Sequence, residues 1–271
     1  MNRGQKDLPL GRTVRSAAEY SPDALRAISR DDQRRAVELK NIHPFIGEDV
    51  WNCYEFSWLG SEHCPCAATL RIVVPCDTKN MVESKSLKLY LNSFAQTRFA
   101  NEQEVIERLK TDVSEVCGAP VDTLLMNIDK EHLGQELTGD CLDQLAVRIE
   151  TFEPYAAILA TNGAPRSESV FSHLFRSICP VTDQPDHATI AIAYEGGGIQ
   201  RESLLAYLVS YREYAGFHEH VIERIYRDLM EVDSFSRLSV EGHFLRRGGI
   251  DINPFRATHP RTRPFSRATR Q

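Results

Sequence analysis

A cysteine and two carboxylates lie close together in Ser177-Ile178-Cys179-Pro180-Val181-Thr182-Asp183-Gln184-Pro185-Asp186. A thiolate is a strong nucleophile toward an electrophilic carbon, and a nearby carboxylic acid can supply the proton that an adduct needs. The cysteine is expected in a turn-rich loop just after a helix and just before a strand, and Pro180 and Pro185 restrict that loop. The same letters also describe an inert thiol in a turn that its aspartates merely favour, and spacing alone does not separate the two readings. The other six cysteines are Cys53, Cys64, Cys66, Cys76, Cys117 and Cys141. A free cysteine is usually a small buried hydrophobe. Cys64-Pro65-Cys66 beside His63 has the makings of half a metal site, but no second pair of ligands follows at zinc-finger spacing.

The elements that must position these groups are readable in outline. Residues 1–45 are polar and lack sustained periodicity, which predicts an extension on the surface or onto a partner subunit. From Val50 the pattern turns to strands, and Leu70, Ile72 and Val74 alternate with Thr69, Arg71 and Val73. Helices are predicted over 84–99 and from Asn101, where Glu104 three residues on completes a capping-box-like start. Strands follow near 121–128 and 145–152. Asn162-Gly163-Ala164-Pro165 is a breaker cluster and a plausible module boundary. Beyond it Ile190, Ile192 and Tyr194 share a strand face, Gly196-Gly197-Gly198 reads as a hairpin turn, helices follow it and start at Phe217, and a strand covers 238–245.

The second half repeats the first. SLKLYLNSF at Ser86–Phe94 matches SLLAYLVSY at Ser203–Tyr211, and VIERL at Val105–Leu109 matches VIERI at Val221–Ile225, at offsets of 117 and 116. Two matches in order argue for duplicated β-β-α-α-β-β modules. Hairpins separated by paired helices give an α+β fold, with antiparallel sheets carrying helices on one face. The division expected is an extension at 1–45, a module at 46–160 and a second at 161–271, which carries the cysteine.

Composition excludes several classes. Net charge is -6, so no global attraction to nucleic acid or anionic membrane exists. Charge is uneven: residues 246–271 hold seven Arg and one Asp, a local +6, leaving -12 for the rest. A solvated or subunit-contacting basic tail is the simplest reading of the last dozen residues. No run is long enough to span a bilayer. An odd cysteine count without an apolar leader predicts a cytoplasmic protein with free thiols.

Four separated motifs carry a resemblance. Cys179 with Thr182-Asp183-Gln184-Pro185-Asp186, Glu83-Ser84-Lys85-Ser86-Leu87-Lys88-Leu89-Tyr90, Phe217-His218-Glu219, and Arg246-Arg247-Gly248-Gly249-Ile250-Asp251-Ile252-Asn253-Pro254 together resemble the 7-cyano-7-deazaguanine reductases of queuosine biosynthesis, in their long two-module form. The resemblance implies the tunnelling fold and a homodimer or higher homo-oligomer, since such modules join sheet edges into barrels. It implies a nitrile reductase that uses NADPH twice per turnover, with no metal and no direct contact to nucleic acid. It assigns Cys179 as the nucleophile forming a thioimide, Asp186 as proton donor, His218 and Glu219 as holders of the deazapurine, and Val82, Glu83 and Ser84 as the opposite wall of the substrate pocket. Ser84, Lys85, Arg247 and Gly248 are implied to contact NADPH, and His218 is implied to assist later proton transfers. Gly196-Gly197-Gly198 lacks the G-x-G-x-x-G spacing of a dinucleotide fingerprint, so no Rossmann domain is expected.

Two rivals remain on sequence grounds. A pterin-forming hydrolase of the same fold would need a Cys/His metal triad, for which Cys179 has no partner at suitable spacing. A tRNA-binding module would use the arginine-rich end and show steep salt dependence.

Overall fold

The computed structural model describes residues 19–36, 44–128 and 134–271. In chain order the elements are β1 (Ala27–Ser29), α1 (Arg30–Ala36), β2 (Ile46–Leu59), β3 (Pro65–Pro75), β4 (Asn80–Val82), α2 (Ser84–Asn92), α3 (Glu102–Cys117), β5 (Asp122–Met126), β6 (Asp140–Cys141), β7 (Thr161–Ile178), β8 (Pro185–Ile199), α4 (Arg201–Val209), α5 (His218–Val232), β9 (Phe235–Phe244) and β10 (Ile250–Ala257). The chain is α+β, and antiparallel ladders dominate. Two compact units are present. Among the described residues, the first holds 19–33, 50–128 and 247–250, and the second holds 34–36, 44–49, 134–246 and 251–271.

In the first unit the strands run β5-β3-β2, and β1 pairs with β4. Leu70, Ile72 and Val74 of β3 are buried, as their alternation requires. Asn101 caps α3 by accepting the Glu104 N–H at 3.0 Å, while the Glu104 carboxylate accepts the Ala100 N–H at 2.9 Å. Val105, Leu109 and Val113 then fall on one buried face. Helix α2 stops at Asn92, short of the 84–99 span read from periodicity. The rest of that span feeds an aromatic cluster in which Phe94 packs against Tyr20, Phe56, Tyr90 and Phe99 with ring centroids 5.1–5.3 Å apart. Residues 1–18 and 37–43 of the polar N-terminal stretch lie outside the described residues. Within the stretch, Leu25, Ile28 and Arg30 are buried, and the Arg30 Nε donates to Thr78 Oγ1 at 3.0 Å. A three-residue strand such as β1 is too short to show a period.

The second unit follows the order β7-β8-α4-α5-β9-β10 along the chain, with β6 parallel to β7 at the edge of the sheet β10-β9-β8-β7-β6. Ile190, Ile192, Val221, Ile222, Ile225, Leu229, Leu238 and Val240 build its core. Burying each such side chain contributes about 1.5–3 kcal/mol.

Five sequence expectations need correction here. The residues just before Cys179 are not a helix but strand β7, whose register shift between Ser172 and Phe175 breaks the period of two. Residues 145–152 are not a strand. Leu145, Val147 and Ile149 pack half-buried on the core while their neighbours face water, so the alternation records one-sided burial without a ladder. Gly196-Gly197-Gly198 is not a turn but the end of β8. A Cβ on Gly197 would lie 1.7 Å from the Asp233 carboxylate, so the glycines serve close approach. Asn162-Gly163-Ala164-Pro165 does not end an element; β7 runs through it with a register shift between Thr161 and Pro165. The basic end is a solvated tail only in part: Arg263 and Arg270 are exposed, but the stretch is anchored by buried residues. Strand β10 is buried throughout, as are Phe265, Ala268 and Gln271. Arg256 is fully buried, with Nη1 2.8 Å from Asp49 and Nη2 2.9 Å from Glu223, and Arg261 pairs with Glu48 and Glu241. Charge counting sees such arginines but not their partners.

The duplicated letters reappear as duplicated contacts. Tyr90 donates to Asp112 at 2.6 Å, and Tyr207 donates to Asp228 at 2.7 Å. The tyrosines are 207 − 90 = 117 apart and the aspartates 228 − 112 = 116 apart, the offsets of the two sequence matches.

Candidate active site

The candidate residues form two sets, one in each compact unit. In the second unit the β7–β8 hairpin closes at residues 179–184. The Cys179 N–H donates to the Gln184 carbonyl at 2.9 Å, and the Asp183 N–H donates to the Cys179 carbonyl at 3.1 Å. Asp183 takes φ +59° to complete the turn, a conformation that aspartate tolerates better than most residues. Cys179 is a free thiol, 8% exposed. The register pairs Ile178 with Pro185 and Ser177 with Asp186. Facing residues of an antiparallel pair project to one side, so Ser177 and Asp186 share one side of the hairpin end, and Cys179 enters the turn just beyond it.

The same hairpin fixes the start of α5. The Ile178 N–H donates to the Tyr214 carbonyl at 2.9 Å, and the Gly216 N–H donates to the Ile178 carbonyl at 3.0 Å. Two residues later His218 opens the helix. Its Nε2 is 3.3 Å from Asp186 Oδ2, and its ring stacks on Phe244 at 3.8 Å with a 10° interplanar angle. Phe244 faces Ala188 across the β8–β9 ladder, which puts it one pleat from Asp186. Glu219, also in the first turn of α5, is buried. A thiol, a carboxyl, an imidazole and a second carboxyl thus come from one hairpin and one helix start. Two side chains that sequence reasoning passed over join them. Phe244 is the platform for His218, and Ser177 is fully buried with its hydroxyl unpartnered. Only the two-residue step to Cys179 could have drawn attention to Ser177.

In the first unit Glu83 caps α2. Its carboxylate accepts the Lys85 N–H at 2.8 Å and the Ser86 N–H at 2.7 Å. Burial pushes this carboxyl above the ordinary carboxylate range, against the pull of those two N–H groups and of Lys88. Val82 is buried at the end of β4, and Ser84 and Lys85 are half-buried. Arg247 and Ile250 close a tight turn, the Arg247 N–H donating to the Ile250 carbonyl at 2.8 Å. Gly248 and Gly249 between them have φ +61° and +79°, which glycine adopts without penalty. A Cβ on Gly248 would be 3.4 Å from Lys88 Cδ, so the lysine stem lies along this turn. Cations beside an open backbone turn fit the phosphates of a dinucleotide.

A free thiol in the hairpin turn, an acid on the adjoining strand and an imidazole at the start of α5 are groups that nucleophilic and acid–base chemistry can use. Residues 16–125 match a family profile described as nitrile reductase, 7-cyano-7-deazaguanine-reductase N-term, and residues 185–263 match one described as QueF-like protein. Three curated relatives, each named NADPH-dependent 7-cyano-7-deazaguanine reductase, align almost end to end. The protein of Desulfotalea psychrophila is 41% identical over 93% of both chains. That of Bordetella avium is 43% identical over 93% of both, and that of Verminephrobacter eiseniae is 42% identical over 96% of both. The chain belongs to the family of 7-cyano-7-deazaguanine nitrile reductases. Among the described residues no helix is long and apolar enough to cross a membrane.

Proposed function

We propose that this chain reduces the nitrile of 7-cyano-7-deazaguanine to the aminomethyl group with NADPH, in the cytoplasmic synthesis of tRNA queuosine, through a covalent thioimide on Cys179. The observation that supports this reading is the 3.3 Å contact of His218 Nε2 with Asp186 Oδ2, on the strand that leaves the turn holding Cys179. The Cys179 sulfur adds to the nitrile carbon. One C–N π bond breaks, and the nitrogen takes a proton from Asp186. His218, held flat on Phe244, keeps Asp186 oriented and takes part in the later proton transfers. Glu219 accepts hydrogen bonds from the deazapurine N–H groups, and Val82, Glu83 and Ser84 complete substrate recognition. Ser84, Lys85, Arg247 and Gly248 hold NADPH. When bound it supplies hydride, one per two electrons, so the four-electron change from nitrile to amine uses two. Reduction of the thioimide carbon returns the sulfur as thiolate, and exclusion of water protects the imine from hydrolysis.

The two-module tunnelling fold, with its boundary near residue 160 and a homodimeric or higher assembly, belongs to the same proposal. Its support is the paired tyrosine–aspartate contacts and the exposure of Leu124, 53%, on β5 at the edge of the first unit's sheet. Direct tRNA binding by the basic end draws no support from Arg256 and Arg261, whose charges are paired within the fold.

The decisive test mixes the protein with 7-cyano-7-deazaguanine and NADPH and follows nicotinamide absorbance. Oxidation is expected, and its absence from folded protein overturns the proposal. Without NADPH, mass spectrometry is expected to show a covalent adduct that disappears in Cys179→Ala. In Asp186→Ala the adduct should form about a hundredfold more slowly or worse.

A further inference from the structure

Among the described residues one other cluster of ligating side chains stands out, and it does not include Cys179. Cys141, Asp143 and His173 each offer a ligand atom, and all three atoms lie within 4.8 Å of one another. We infer that these three residues bind a divalent cation of the zinc type, at a site separate from the candidate catalytic residues.

The backbone explains the convergence. Strand β6 pairs in parallel with β7, Cys141 opposite Phe171. His173 is two residues beyond Phe171 and projects to the same side, with ring centroids 5.1 Å apart. Asp143 returns onto β7 just after Cys141. Its Oδ1 accepts the Ser172 hydroxyl at 2.7 Å and the His173 N–H at 3.1 Å. The His173 Nδ1 is 2.8 Å from the Thr189 hydroxyl, which leaves Nε2 for a metal. Two of the three ligands are therefore held by groups that would not touch the cation, the arrangement that orients metal ligands elsewhere.

The donor set is one sulfur, one nitrogen and one oxygen, which suits zinc and its neighbours rather than magnesium or calcium. A tetrahedral zinc with bonds of about 2.0–2.3 Å keeps its ligand atoms roughly 3.5 Å apart. A pair at the 4.8 Å limit has to close by about 1.3 Å to reach that separation, and Cys141 is exposed. Thiolate and carboxylate together carry the charge that balances a divalent ion. Arg270 acts on His173 as a repelling charge that Asp143 opposes. Three protein ligands leave a fourth position for water or an added donor. His173 precedes Cys179 by six residues along β7, roughly 20 Å of extended chain.

The test uses the whole chain, stripped with a chelator under reducing conditions and equilibrated with zinc. Close to stoichiometric zinc is expected, with alkylation of Cys141 by iodoacetamide, read on its peptide, slowed about a hundredfold at a zinc concentration a hundred times the dissociation constant. Cobalt in place of zinc should give a thiolate charge-transfer band. Cys141→Ser and His173→Ala should lose zinc, while Cys179→Ala and the Cys64→Ser, Cys66→Ser double variant should keep it. Unslowed alkylation of Cys141 in the unsubstituted protein overturns the inference even if a variant fails to fold. So does zinc that departs with Cys179 or with the Cys64–Cys66 pair. The outcome is independent of nitrile reduction, which is read from NADPH alone.

Discussion

Ser177 and Glu83 show how far single residues could be read in advance. The turn letters around Cys179 and Asp186 announced a possible site, but hydrogen-bond satisfaction is a tertiary property and left no trace at Ser177. A buried hydroxyl without a partner is destabilising by about 1–3 kcal/mol. Ser177→Ala is therefore expected to leave the unfolding free energy in denaturant melts unchanged or raised, whereas a fall of more than about 1 kcal/mol would mean that the hydroxyl has a partner in solution. Glu83 was legible from its motif, but its capping of α2 was not, because no earlier letter marks glutamate as a cap. Glu83→Ala should lower stability by about 1 kcal/mol through loss of the cap. Burial raises the Glu83 carboxyl above 4.5, so the fold favours its neutral form. That contribution is complete below pH 4.5 and is lost as pH rises through the raised value. The stability difference between the native chain and Glu83→Gln, followed by denaturation at several pH values, should change with this sign.

Elements were legible where their own periodicity decided them and obscure where a neighbour did. Helix α3, with cap and stripe both in the sequence, was readable; so were β3, β8 and β9. Residues 145–152 alternate like a strand and lack a ladder. Strand β10 was hidden because Asp251, Asn253 and Arg256 are polar residues buried in it. The Asn253 amide donates to Asp251 at 2.6 Å and its carbonyl accepts from Gln271 at 2.6 Å, and pattern rules score such positions as surface. The tyrosine–aspartate contacts between paired helices offer a direct comparison. Asp228 is fully buried and Asp112 is half-buried. Hydrogen bonds to charged groups contribute about 1.5–3 kcal/mol, more where water cannot replace them. Tyr207→Phe should thus cost more stability than Tyr90→Phe in urea melts. Equal losses would show that the duplicated contacts differ in burial but not in strength.

At the scale of the whole molecule the sequence conveyed class, duplication and family, and misjudged the destination of charge. Arg256 is the clearest case. Although burial pushes the Glu223 carboxyl up, Arg256 and Arg34 hold it down at about 2. The stability this supplies is present above the unfolded carboxylate range and is lost as pH falls from about 4.5 toward 2. Arg256→Met should destabilise by about 3–5 kcal/mol by removing the buried cation between Asp49 and Glu223, of which Glu223 keeps its pair with Arg34. It should also flatten the acid limb of a stability-versus-pH curve; an unchanged limb would assign acid sensitivity elsewhere. The duplication has one more consequence, at the helix starts. Carried forward by 117, Glu83 falls on Gln200, the cap of α4; carried back by 116, Glu219 falls on Gln103, in the first turn of α3. Each half has kept an acid where its twin has an amide of the same shape. At these two helix starts each half therefore carries one carboxylate and one amide.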